Sequence, residues 1–179
     1  MELLLDRITS PLGDLLLVTD HSALCALEFA SFEGRLLQYL RKHYEGFALV
    51  TQTAKTTVYR QCVEAYFAGE LHSLASIPVR LCGTDFQKQV WQRLGDIRAG
   101  QTWSYAALAA QLNAPKAVRA VGMANSRNPV AIVVPCHRVI GSDGALTGYA
   151  GGIDRKRWLL QHEGVELEPT PLQLGLIWN

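Results

Sequence analysis

The first thirty residues constrain the fold most, because three short apolar runs are separated there by turn residues. The runs are "LLLDRITS", "DLLLVTD" and "ALCALEFA", with 11–13 and 20–22 between them. Short apolar runs bounded by Gly, Pro, Asp and Ser are typical of β-strands. Helical periodicity follows at 32–44 and 56–70, and the second segment is predicted to place Val58, Cys62, Ala65 and Tyr66 on one face. The pattern therefore predicts a small α/β domain over residues 1–82, in which no motif indicates chemistry.

Composition describes an ordinary globular protein, since 49% of the 179 residues are hydrophobic and 18% are charged. No apolar run reaches the length of a membrane span, and the start "MELLLDRITS" lacks the basic and apolar regions of a signal peptide. A cytoplasmic location with no membrane partner is expected. The four cysteines have no paired spacing, so neither a metal site nor disulfides are expected.

The net charge of +1 hides an asymmetry between the two halves of the chain. Residues 115–160 carry seven basic and two acidic side chains, a balance of +5, whereas residues 1–80 have a balance of −2. A basic surface confined to one half is suited to a polyanionic partner. A solvated basic face without a partner explains the charge equally well.

The segment from Gly83 onward predicts a series of helices. A helix over 83–97 opens with Thr84 and Gln87 at capping-box spacing, and Ser104 is the predicted N-cap of the next helix, over 102–113. A short break leads to a basic helix over 116–128, with Pro115 at its first position. Two helices joined in this way form a helix-turn-helix pattern, although most helical hairpins bind nothing. A last helix is predicted from an N-cap at Asp154 to Gly164.

The stretch "NPVAIVVPCHRVIG" places a thiol and two basic side chains directly after an apolar run. Residues 130–134 are predicted to form a buried strand that ends at Pro135. A thiol needs a base to become nucleophilic, and His137 follows Cys136, but neighbours in a strand point to opposite faces. A bend or a bridging water is therefore required, and Glu163 is the acid best placed to orient the imidazole. Alternatively, Cys136 is a core cysteine and His137 a surface residue.

Five segments in a fixed order, "TWSYAALA", "AVRAVGMANSRNPVAIVVP", "PCHRVIG", "GYAGG" and "RKRWLLQHEG", closely resemble the O6-alkylguanine-DNA alkyltransferases. The resemblance is strong over 83–164 and looser before it. It implies an RNase H-like α/β domain over 1–82, a mostly α, winged-helix-like helix-turn-helix domain over 83–165, and a tail over 166–179.

The implied activity is a single-use methylated-DNA–[protein]-cysteine S-methyltransferase. It transfers the alkyl group of O6-alkylguanine, and by extension of O4-alkylthymine, in duplex DNA irreversibly to its own cysteine. The nucleotide is flipped out first, because the lesion points into the duplex. The resemblance implies a monomer that requires no cofactor.

The resemblance also implies roles for individual residues. Cys136 is the implied alkyl acceptor, while His137, through a water, and Glu163 form the relay that removes its proton. Tyr105 protonates the leaving base and crowds the neighbouring phosphate, and Asn128 braces the turn around the cysteine.

The implied DNA contacts lie on the second helix of the hairpin, which enters the minor groove in this family. Arg119 is the implied intercalating residue, and Ala120 and Gly122 keep the helix slim, with Lys116 beside them. The implied lesion pocket is lined by Tyr149, Ala150, Gly151, Pro135 and Val139. Where some relatives have serine, this chain has Ala150, so backbone N–H groups of Ala150 or Gly151 are expected to replace the hydroxyl donor.

Three other functions are compatible with parts of the pattern. A lesion-binding relative without transfer activity would lack the acceptor cysteine, and a thiol hydrolase would not explain the basic hairpin. A simple helix-turn-helix regulator would not explain the thiol or Glu163.

In the tail, Gln173–Ile177, "QLGLI", resembles the pentapeptide that docks bacterial repair proteins on the sliding clamp. The alternative is an apolar tail that packs on its own domain or frays.

Overall fold

In the computed structural model, which describes residues 1–51 and 53–167, a four-stranded mixed sheet forms the N-terminal half. Its strands are β1 (Glu2–Ile8), β2 (Leu15–Thr19), β3 (Leu24–Phe29) and β4 (Ala48–Thr51), in the order β3-β2-β1-β4. The first three strands pair antiparallel and confirm the prediction, whereas β4 pairs parallel with β1 and was not predicted.

Both faces of this sheet are covered. Alternate residues of β2 explain why: Leu15 and Leu17 belong to one apolar cluster, and Leu16 and Val18 belong to another. Helix α1 (Glu33–His43) packs on the Leu16 side, and helix α2 (Thr53–Phe67) contributes to the cluster on the Leu15 side.

The buried face of α2 differs from the predicted one. Tyr66 is buried as predicted, but Val58 is 69% exposed, and Thr56 and Val63, which were not predicted, are buried. The Thr56 hydroxyl donates to buried Asp6 at 2.7 Å, so a polar contact that hydropathy does not register helps to set the rotation of the helix.

The C-terminal half is mostly helical, as predicted. It contains α3 (Asp85–Leu94), β5 (Trp103–Ser104), α4 (Tyr105–Gln111), α5 (Val118–Ser126), β6 (Val139–Ile140) and α6 (Ile153–His162), and β5 pairs parallel with β6. The capping box of Thr84 and Gln87 is confirmed, and Ser104 caps α4 by accepting from the Ala107 N–H at 3.0 Å.

Two predicted helix starts were wrong. Pro115 lies before α5, whose N-cap is Ala117, because a turn closed by the Ala117 N–H and the Ala114 carbonyl precedes the helix. Asp154 lies in the first turn of α6, whose N-cap is Gly152 with φ +96°. A side-chain cap was predicted where a glycine in the left-handed region makes the turn.

The apolar run at 130–134 is not a strand, which corrects the prediction. Val130 forms one isolated bridge to Leu27 of β3, the chain then turns with Ile132 at φ +71°, and Cys136–Arg138 form a 3-10 turn. The run is apolar because the turn is buried in the same cluster as β3 and the helices. The thiol is therefore carried by a turn.

One apolar cluster is shared by both halves, with members such as Phe29 and Val63 from the sheet side and Trp91, Val121 and Leu159 from the helices. Over residues 1–51 and 53–167, no helix is both long and apolar enough to cross a membrane.

Candidate active site

Cys136 is 6% exposed and is held by the side chain of Asn128. The Asn128 amide donates to the Cys136 Sγ at 3.1 Å and to the Val134 carbonyl at 2.7 Å, and its oxygen accepts from the Val130 N–H at 3.0 Å. Burial raises the pKa of the Cys136 thiol to about 11, against the opposing effects of the Asn128 hydrogen bond and the charge of Lys156. One side chain thus fixes both the turn and the thiol.

His137 and Glu163 form a buried pair, with 3.0 Å between Nε2 and Oε1. Burial raises the pKa of the Glu163 carboxyl, but hydrogen bonds from His137 and Arg138 outweigh it and hold this pKa well below its usual range. An ionised carboxylate only accepts, so His137 carries its proton on Nε2 and presents the lone pair of Nδ1.

The Nδ1 atom of His137 is buried and has no hydrogen-bond partner among the described residues. Burial also lowers the pKa of His137, although Glu163 opposes the change. A neutral imidazole with a free lone pair on the residue after the thiol can act as a general base.

Two residues of this cluster were not predicted. Arg138 donates to Glu163 twice, from Nε to Oε2 and from Nη2 to Oε1, each at 2.8 Å. Tyr66 of α2 donates its hydroxyl to Glu163 Oε1 at 2.7 Å. Arg138 could have been found from its place near the thiol, whereas Tyr66 lies 97 positions before Glu163 in the sequence and has no local signal.

Tyr105, the first residue of α4, is partly buried under the loop that follows β6. Its hydroxyl donates to the Thr147 carbonyl at 3.1 Å and lies 3.4 Å from the Gly148 carbonyl. Gly148 has φ +67°, and a Cβ there would lie 2.7 Å from the Tyr105 hydroxyl oxygen. Only glycine therefore lets the loop approach the tyrosine so closely.

A third unpredicted residue, Lys156, binds the loop that follows β6. Its ammonium is buried and donates to the Thr147 carbonyl at 2.6 Å and to the Val139 carbonyl at 2.5 Å. Burial lowers the pKa of Lys156 to about 8. The loop is thus held by a buried cation close enough to affect the thiol.

The predicted pocket residues lie on both sides of the thiol turn. Tyr149 is buried with a hydroxyl that has no partner among the described residues, and Gly151 is buried so tightly that a Cβ would lie 2.6 Å from the Tyr149 ring. The Ala150 carbonyl accepts from Arg35 Nη1 at 3.1 Å. Pro135 and Val139 are buried as well, but Pro135 also lines a groove formed with residues 71–99.

The predicted DNA-contacting residues lie on and just before α5. Lys116, Arg119 and Ala120 are exposed. Gly122 is partly buried, and a Cβ there would lie 3.8 Å from the Tyr105 ring, so its face of α5 is turned toward Tyr105. Arg119 of α5 and Tyr105 of α4 therefore belong to two helices packed against each other.

Comparison with known proteins matches both halves of the chain to one family. The profile of the 6-O-methylguanine DNA methyltransferase ribonuclease-like domain matches residues 6–81, and that of the DNA binding domain matches residues 85–165. A methylated-DNA–protein-cysteine methyltransferase of Salmonella typhimurium is 47% identical over 92% of this chain and 97% of its own. A methylated-DNA–protein-cysteine methyltransferase of Mycobacterium leprae is 46% identical over 86% of this chain and 88% of its own. The crystal structure of Mycobacterium tuberculosis OGT in complex with DNA superposes with a TM-score of 0.74 at 40% identity, covering 91% of this chain and 92% of that one.

Proposed function

Because the chain belongs to the 6-O-methylguanine DNA methyltransferase family, we propose that Cys136 is the residue on which it receives the alkyl group. The protein repairs DNA by transferring an alkyl group to a cysteine, as a methylated-DNA–[protein]-cysteine S-methyltransferase. The observation that carries the choice of cysteine is the buried imidazole–carboxylate pair beginning at His137. The thiols of Cys25 and Cys82 contact a backbone carbonyl and a tyrosine hydroxyl instead.

The relay starts from a protonated thiol. With the pKa of Cys136 at about 11, on the order of one thiol in three thousand is ionised at pH 7.5. A base must therefore take the proton as the sulfur attacks. His137 Nδ1 takes it through a water molecule, and Glu163 stabilises the imidazolium that forms.

The transfer itself is an in-line displacement. The Cys136 sulfur forms a bond to the alkyl carbon as the bond from that carbon to guanine O6 breaks, and the electron pair stays on O6. Tyr105 then gives a proton to the departing base, for which its hydroxyl must turn away from the Thr147 carbonyl. The product thioether cannot be returned to a thiol by any group of the relay, so each molecule acts once.

The DNA duplex lies along α5. Arg119 fills the base stack after the nucleotide flips out through the minor groove, and its planar, permanently charged head is suited to that position. Ala120 and Gly122 permit close approach of the helix, and Lys116 contacts the backbone. O6-alkylguanine, and O4-alkylthymine with it, enters the pocket formed by Tyr149, Ala150, Gly151, Pro135 and Val139.

The division into 1–82, 83–165 and 166–179, the cytoplasmic location and the monomeric state remain predictions. The clamp-binding segment Gln173–Ile177 lies outside the described residues. If that prediction is right, the sliding clamp should pull down the full chain but not the variant that lacks 170–179. Equal binding of both proteins, or binding of neither, would contradict the prediction.

Mass spectrometry after incubation with O6-methylguanine duplex tests the proposal. One methyl group should be found, on the peptide that contains Cys136, and Cys136→Ser should abolish transfer while Cys62→Ser leaves it intact. DNA binding with an unmodified Cys136 would contradict the assignment and favour a lesion-binding protein. More than one product per protein molecule would contradict single use and favour a hydrolase.

A further inference from the structure

The carboxylate of Glu163 accepts four hydrogen bonds from the described residues, and they are unevenly shared. Oε2 accepts from Arg138 Nε, whereas Oε1 accepts from His137 Nε2, Arg138 Nη2 and the Tyr66 hydroxyl. Each carboxylate oxygen has about two lone-pair sites, so the donors are crowded on Oε1, the oxygen that His137 uses. The shortest of the four contacts, at 2.7 Å, comes from Tyr66, which belongs to the other half of the chain.

Tyr66 is fixed in this position by its surroundings. It is fully buried in the last turn of α2, and its backbone carbonyl accepts from His162 Nε2 at 2.8 Å. Its ring also packs edge-on against the His162 ring, with 5.2 Å between centroids. Since His162 directly precedes Glu163, the end of α2 is fastened to the end of α6 at two successive residues.

The hydroxyl of Tyr66 stays a donor across the working range of pH, because burial raises its pKa well above the ordinary value and Glu163 reinforces the effect. A donor on Oε1 draws charge away from the oxygen that His137 also uses. It therefore makes the carboxylate a weaker acceptor for the imidazole proton and limits how far the pKa of His137 can rise.

We infer that Tyr66 is a positioning residue of the reaction: it fixes Glu163 and tunes the basicity of His137 from the N-terminal half of the chain. The inference rests on the function proposed above, in which His137 takes the thiol proton. It assigns to the α/β half a part in the chemistry, acting through Glu163 and not by contact with DNA or with Cys136.

Tyr66→Phe keeps the ring and removes only the hydroxyl. Oε1 then has two donors, the carboxylate becomes a stronger acceptor, and the pKa of His137 rises. We expect the acid limb of the transfer rate against pH to move upward by about half a unit to one unit. The plateau rate should fall about three- to tenfold, since a charge-assisted hydrogen bond that restrains the carboxylate is lost.

The experiment is single-turnover transfer from O6-methylguanine duplex to the full chain, followed from pH 5 to 9. Wild type is compared with Tyr66→Phe and with Tyr59→Phe, a control on the same helix whose hydroxyl is not among the described contacts of Glu163. The end-point amplitude counts active molecules, and thermal unfolding reports stability separately. A purely structural role would lower the melting temperature or the amplitude and leave the acid limb where it is in wild type.

Coincident acid limbs for wild type and Tyr66→Phe would overturn the inference, even if the variant were less stable. If Tyr66→Phe does not fold, 3-fluorotyrosine placed at position 66 supplies the test. Its more acidic hydroxyl is a stronger donor and should move the limb to lower pH, whereas an unmoved limb would overturn the inference. Failure of wild type to transfer the methyl group to Cys136 would instead refute the proposed function.

Discussion

Replacing Glu163 by Gln should lower both the stability and the activity of this protein. All four contacts of the carboxylate are with donors, and an amide offers one acceptor oxygen and turns an NH₂ group toward the others. The Arg138 side chain, only 10% exposed, would lose its counter-ion while staying in place. The change is nearly isosteric, so packing contributes little to the expected effect.

The size of the stability loss follows from these contacts. Removing one partner of a buried ion pair costs about 3–5 kcal/mol, and since the amide oxygen in Glu163→Gln keeps part of the donor set, we expect about 3 kcal/mol at pH 7. Total stabilities of about 5–15 kcal/mol leave such a variant folded at room temperature. Transfer should slow by about a hundredfold, because the imidazole loses the acceptor that fixes its tautomer and stabilises its charged form.

The pH dependence of the loss has a definite sign. The folded-state pKa of Glu163 lies well below its ordinary value of 4.5, so the stability it contributes is complete above about pH 4.5 and disappears as the pH falls below that value. The difference in unfolding free energy between wild type and Glu163→Gln should therefore be largest at neutral pH and shrink in acid.

Urea unfolding followed by tryptophan fluorescence at pH 7 and pH 3.5, with single-turnover transfer at pH 7.5, measures both effects. Glu166→Gln is the matched control, since the same substitution three residues later affects an exposed side chain. A loss below about 1 kcal/mol at pH 7, or a deficit that does not change in acid, would show that the carboxylate is not the ionised centre of the cluster.

Three other substitutions separate the thiol turn, the glycine loop and the DNA surface. Asn128→Ala should raise the pKa of Cys136, measured as the pH dependence of thiol alkylation, and cost about 1–3 kcal/mol in urea unfolding because the Val130 N–H loses its partner. Gly151→Ala should lower the unfolding free energy by about 1–3 kcal/mol, since its Cβ would lie 2.6 Å from the Tyr149 ring; an unchanged midpoint would contradict the close packing. Arg119→Ala should leave thermal unfolding unchanged, because the side chain is exposed, but weaken DNA binding and reduce its salt slope by about one in a fluorescence titration.

The secondary structure that could be predicted from the sequence is the part that depends on neighbouring residues. The capping box at Thr84 and the cap at Ser104 are local patterns, as are the turns between the first three strands. Strand β4 has only four residues, and its partner β1 lies more than forty residues earlier in the sequence, since Glu2 pairs with Ala48. The turn at 130–134 was mistaken for a strand because burial between two halves gives the same apolar composition as a sheet.

The site shows the same difference between residues that are near one another in the sequence and residues that meet only in the fold. His137 and Arg138 are adjacent to the thiol in sequence, and the family motif leads to Glu163. Lys156 has no such signal, because in "RKRW" it resembles two other basic residues on the surface of a helix. It is buried only because the carbonyls of Val139 and Thr147 converge on it. Contacts that depend on distances between elements cannot be predicted from local composition.

The N-terminal half has no catalytic motif, yet the buried thiol depends on it. Excluding water from Cys136 raises its pKa, so in the proposed mechanism His137 must be held accurately to remove the proton. Tyr66 is one of the donors to the Glu163 carboxylate, which also binds His137. Arg35 holds the glycine loop by donating to the Ala150 carbonyl. The Leu27 carbonyl accepts from the Ala131 N–H at 2.9 Å and fixes the start of the thiol turn. Substitutions of Tyr66 and Arg35, whose side chains make these contacts, should therefore impair transfer more than their distance from the cysteine in the sequence would suggest.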